Sequence, residues 1–78
     1  MAVKKKRATR DIEKDYPAKQ FVAKLRRLAD AIEQGHRFRI QVAGERVSIP
    51  PGATINIEHE RGASLEEIEF QMRWKLDA

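Results

Sequence analysis

The stretch IEFQMRWKL, Ile68 to Leu76, alternates apolar and polar side chains without a slip. In an extended chain successive side chains point to opposite faces. Ile68, Phe70, Met72, Trp74 and Leu76 therefore share one face, and Glu69, Gln71, Arg73 and Lys75 the other. This predicts a half-buried β-strand. It carries the only Trp and one of the three Phe of the chain. Ile55 and Ile57 alternate in the same way ahead of RGAS, Arg61 to Ser64. A turn centred on Gly62-Ala63 sets Ile57 opposite Ile68 and Ile55 opposite Phe70. It also sets Glu58 opposite Glu67, an unfavourable like-charge pair. Leu65 is out of phase and predicts a bulge or an irregular strand start.

Further upstream the same period of two recurs. Phe38, Ile40 and Val42 alternate with Arg37, Arg39 and Gln41, and Val47 and Ile49 follow after AGER. A type II′ turn centred on Gly44-Glu45, with Gly first, pairs Val42 with Val47 and Ile40 with Ile49. Gly44 then needs a positive φ. The PPG at Pro50 to Gly52 ends this hairpin.

Before Gly35 the period changes to that of a helix. Ala18, Phe21, Val22, Leu25, Leu28, Ala29 and Ile32 recur at three- and four-residue intervals, with Lys19, Lys24, Arg26, Arg27, Asp30 and Glu33 on the other side. Pro17 suits the first turn and Gly35 a left-handed C-terminal cap. Upstream, RDIEKDY holds one apolar residue, Ile12, and leaves a short edge strand open. The expectation is an α+β domain over residues 10–78: one amphipathic helix packed on a four- or five-stranded, mainly antiparallel sheet. Residues 1–9 are expected to form a flexible basic arm.

Composition narrows the function classes. A chain of 78 residues makes at most one small domain, and without Cys neither a disulfide nor a thiolate metal site can staple it. No apolar run follows the basic MAVKKKRATR, so neither a secretory signal nor a membrane span is expected, and cytoplasm is the default. The net charge is +4, and Lys4, Lys5, Lys6 and Arg7 account for it on their own. The basicity is mainly a property of the arm.

The segments FVAKLRRLADAIEQG, RFRIQVAGERVSIP, NIEHE and EEIEFQMRWK together resemble the amphi-Trp domain family. That family is named for an amphipathic C-terminal strand ending in Trp. Ile68, Phe70 and Met72 take its alternating apolar positions and Trp74 the signature position, while Glu67 and Glu69 match its acidic alternation. Gln71 and Arg73 depart from that alternation. The resemblance covers about residues 11 to 76 and implies a small prokaryotic, bacterial-type module, with no activity attached to it.

Nothing in the sequence assembles an active site. Ser48, Ser64, Thr9 and Thr54 have no nucleophile elbow or adjacent base, and no glycine-rich phosphate loop exists. His36 follows the helix cap and His59 lies near a turn, so both read as structural. Glu58, Glu60, Glu66, Glu67 and Glu69 converge on one hairpin without cation-ligand spacing and read as a solvated rim. No cofactor, metal or small-molecule substrate is expected.

Two binding roles are expected instead. One helix about 10 Å across cannot cover four strands about 4.8 Å apart, so part of the apolar sheet face needs another cover. Phe70, Met72, Trp74 and Leu76 are the candidate interface for a protein partner or a homodimer. The alternative is weak electrostatic nucleic-acid binding by Lys4, Lys5, Lys6, Arg7, Arg37 and Arg39. Arg46, Arg73 and Lys75 could extend that surface, but its polar face lacks aromatics for base stacking.

Overall fold

The computed structural model describes residues 10–76; the basic arm, residues 1–9, lies outside them. Helix α1 spans Ala18–Gln34, and four antiparallel strands follow: β1 (Phe38–Val42), β2 (Glu45–Ile49), β3 (Thr54–Arg61) and β4 (Glu66–Arg73). This is an α+β fold with the expected helix and four strands. Residues 10–17 have no regular structure, so the segment around Ile12 adds no fifth strand. The strands form two separate hairpins, β1 with β2 and β3 with β4.

Pro17 stands immediately outside α1, extended at φ −60 and ψ 150, and its carbonyl accepts the Phe21 N–H at 3.0 Å. At the other end Gly35 adopts the left-handed φ of 69. Its N–H donates to Ile32 O at 3.2 Å, and the His36 N–H donates to Ala31 O at 2.8 Å. These paired bonds make a Schellman cap, which spends two otherwise unpaired carbonyls and turns the chain into β1.

The first hairpin corrects the expected register. Its turn is Ala43-Gly44, with φ of 50 and 84, a type I′ turn in which both central residues are left-handed. Gly44 has the expected positive φ, but as the second central residue. Pairing moves by two residues: Phe38 lies opposite Ile49, Ile40 opposite Val47 and Val42 opposite Glu45. A shift of two keeps the apolar face intact. It also brings Phe38 and Ile49 together as the buried core, 6% and 9% exposed.

The second hairpin also shifts by two residues, but in the opposite direction, toward a longer loop. Gly62 does not take a positive φ, so a tight turn at Gly62-Ala63 does not form. Gly62 to Leu65 make a longer loop closed by the Gly62 N–H on Leu65 O at 2.8 Å, which puts Leu65 in the loop. Ile55 then faces Met72, Ile57 faces Phe70 and His59 faces Ile68. The like-charge pairs are Glu58 with Glu69 and Glu60 with Glu67. Strand β4 stops at Arg73, so Trp74 and Leu76 lie beyond it.

Polar side chains tie the helical layer to the first hairpin. Arg27 lies over the Phe38 ring, 5.1 Å from its centroid, and donates to Arg39 O at 3.0 Å. Tyr16 donates to Gln41 O at 3.4 Å and Arg10 to Val42 O at 3.3 Å, and Arg10 also pairs with Glu45. The Arg39 and Gln41 carbonyls point away from β2, so the bonds from Arg27 and Tyr16 blunt that edge of β1 against strand addition.

Candidate interaction surface

Strand parity decides what the β3–β4 hairpin shows to water. One face carries Ile55, Ile57, His59, Ile68, Phe70 and Met72. On this face the rest of the protein covers only the base. Ile55 and Met72 line a small cavity together with Leu28, Ile32, Phe38 and Ile49. Eight-residue strands run about 27 Å, so the rest of the hairpin overhangs as an arm. Ile55, Ile57, Ile68 and Phe70 are 55%, 60%, 65% and 64% exposed. These four alone present about 450 Å² of surface, the size of the largest patch on a typical monomer.

Helix α1 leaves a second uncovered region, since none of its residues is buried. Between α1 and the first hairpin runs a groove of about 220 Å³ lined by Phe21, Leu25, Leu28, Phe38, Ile40 and Met72. Lys14 and Lys24 stand at this groove, each stacked on the Tyr16 ring, at 5.3 and 4.9 Å from its centroid. Met72 belongs to the groove and to the base of the arm, so the two regions form one apolar surface.

Of the four interface candidates, Phe70 stands on the arm and Met72 at its half-buried base. Trp74, past the strand, lines a shallow depression with Gly52 and Thr54 and is 37% exposed, and Leu76 is 89% exposed. The structure does not unite these four. It unites Phe70 and Met72 with Ile55, Ile57 and Ile68, residues whose shared parity with Phe70 was legible in the sequence. Their joint exposure was not, because a single continuous sheet was expected.

The opposite face of the arm is acidic. Gln71 Nε2 donates to Glu58 Oε1 at 2.9 Å and to Glu69 Oε1 at 2.8 Å. One amide thus bridges two carboxylates that strand pairing places side by side. Asn56 Nδ2 supports that amide by donating to Gln71 Oε1 at 2.9 Å, while Asn56 Oδ1 is buried without a partner. The outer pair has no such bridge. The Glu60 carboxyl beside Glu67 pushes the Glu67 pKa up, with added repulsion from Glu69 and Glu13. At the tip, Glu66 accepts from Arg61 at 2.8 Å and meets His59 Nε2 at 2.7 Å. Arg61 first, and His59 second, hold the Glu66 pKa down. No three His, Asp or Glu among the described residues are placed to hold a metal ion.

The cationic candidates divide. Lys4, Lys5, Lys6 and Arg7 lie outside the described residues. Arg37 donates to Ser48 Oγ at 3.1 Å on the polar face of the first hairpin. Arg39 instead lines a shallow depression with Lys24, Arg27 and Arg46, and no carboxylate lines it. Lys24 and Arg27 were not identifiable beforehand, because only packing brings α1 beside this hairpin.

No described helix is long and apolar enough to cross a membrane. Comparison with family models, with curated proteins and with solved structures finds no match. The resemblance to the amphi-Trp family rests on the residues quoted for it.

Proposed function

We propose that the chain is a non-enzymatic protein-interaction module whose contact surface is the apolar face of the β3–β4 arm. The observation that carries this reading is the exposure of Ile57, Ile68 and Phe70, each at 60% or more, on an ordered strand pair. Leaving a side chain of this size in water forgoes about 1.5–3 kcal/mol of burial energy. A chain this small cannot easily spare that unless a partner recovers it. The absent nucleophile–base pairing in the sequence supports a binding role over an enzymatic one. An environment-sensitive dye tests the reading. At submicromolar protein, dye should bind, and Ile57→Gln with Phe70→Gln should abolish the signal while helical circular dichroism is kept. A chain that is monomeric and binds no dye would have its arm covered by its own residues, and the reading would fail.

The basic depression formed by Lys24, Arg27, Arg39 and Arg46 favours a second reading, electrostatic binding of nucleic acid in concert with Lys4 to Arg7. Its signature is a steep fall in oligonucleotide anisotropy between about 50 and 200 mM salt. Binding unaffected by salt, or by Arg39→Gln with Arg46→Gln, would refute it.

A further inference from the structure

We infer that the occupant of the arm is a second copy of this chain, held reciprocally: each arm lies in the α1 groove of the other copy. This rests on the reading of the arm as a contact surface and adds what covers it. Three observations select the arrangement. The first is area. Two arms packed face to face would bury about 900 Å² in all, below the range of stable interfaces. Adding the exposed parts of the groove residues Phe21 and Leu25, which are 52% and 39% exposed, brings each copy to about 600 Å². The reciprocal pair therefore buries about 1,200 Å², at the lower end of the range for a specific complex and above what two arms alone provide.

The second observation is shape. The groove of about 220 Å³ exceeds the ~150 Å³ cavity that accepts a benzene ring, so it has room for the Phe70 ring of another copy. The third is charge. The arm carries Glu58, Glu60, Glu67 and Glu69 on its back, whereas Lys14 and Lys24 stand at the groove. The carboxylates face away from the contact in either arrangement, so charge acts only at longer range: the lysine-bearing groove attracts an acidic arm, whereas two acidic arms repel. Because the arm and groove are different surfaces, two contacts related by a two-fold axis close the assembly at a dimer.

Sedimentation equilibrium of the full chain tests this with two charge-introducing variants and their mixture. Wild type should be dimeric at tens of micromolar. Phe70→Glu damages the arm and Phe21→Glu the groove, so each alone should self-associate at least about tenfold more weakly. In an equimolar mixture one of the two contacts is intact, the arm of the Phe21→Glu copy in the groove of the Phe70→Glu copy, so a 1:1 heterodimer should form that is tighter than either variant alone and weaker than wild type. Helical circular dichroism reports folding, and Ile57→Gln replaces Phe70→Glu should that variant unfold. A Phe21→Glu dimer as tight as wild type would overturn the reciprocal arrangement in favour of arm-to-arm pairing. A wild-type monomer at high micromolar concentration would eliminate the second copy as occupant; dye binding to that monomer would leave the interaction surface itself standing.

Discussion

Replacing Ala43 by Asn should stabilise this protein, although Ala43 is exposed and lies outside the core. Ala43 adopts φ 50 and Gly44 φ 84 in the two-residue loop between β1 and β2. A residue with a Cβ pays about 1–2 kcal/mol to hold the left-handed conformation, and Asn recovers part of this through local hydrogen bonding. Asn-Gly is also the preferred type I′ pair. The expected gain is about 0.5–1 kcal/mol, or a rise of about 4 °C in Tm for a domain this small. Gly44→Val is the converse. A Cβ at Gly44 meets nothing within 4 Å, so any loss comes from the backbone and not from a clash. That loss should be at least about 1 kcal/mol. The assay is urea unfolding followed by circular dichroism, at one fixed protein concentration because association shifts apparent stability. A turn centred on Gly44-Glu45 would place Ala43 in extended backbone, where Asn is unfavourable. Destabilisation by Ala43→Asn would therefore refute the Ala43-Gly44 turn and the Phe38 to Ile49 register with it.

The buried pair predicts a larger effect: Phe38→Ala should cost about 3–5 kcal/mol, comparable to the whole stability of so small a domain, and should abolish cooperative thermal unfolding. Retention of a sharp melt near the wild-type Tm would show that the core lies elsewhere. Gln71→Glu would turn the amide bridge between Glu58 and Glu69 into a third carboxylate and should lower stability at pH 7 by about 1–2 kcal/mol; an unchanged urea midpoint would contradict the bridge. Glu67 has a raised pKa in the folded protein, so its ionised form opposes folding above that pKa and the penalty fades as pH falls through it. Glu67→Gln should accordingly raise Tm at pH 7 and lose that advantage in mild acid, and a pH-independent difference would exclude this cause. Glu66 has the opposite sign: its lowered pKa means a stabilising charge present at neutral pH and lost as pH falls through the folded value, so Glu66→Gln should matter at pH 7 and not in strong acid.

Local order was legible in the sequence wherever a short-range rule decides it. The α1 stripe, the Gly35 cap and the period of two in all four strands follow from side-chain geometry within a few residues. Which face of each strand is apolar was equally legible, because a register slip of two residues leaves parity unchanged. The registers themselves were not. Ala43 enters a left-handed turn that its side chain disfavours, and pairing Phe38 with Ile49 gives the chain its buried core. Gln71 looked like a lapse in an acidic pattern until strand pairing set it between Glu58 and Glu69. The division into two hairpins was decided at the same level, and with it the exposure of the arm. Alternation specifies an apolar face but not what lies against it, since burial depends on residues distant in the chain. Phe70 was offered as an interface residue and Ile57 was not, and only the tertiary placement of α1 over the first hairpin leaves both in water.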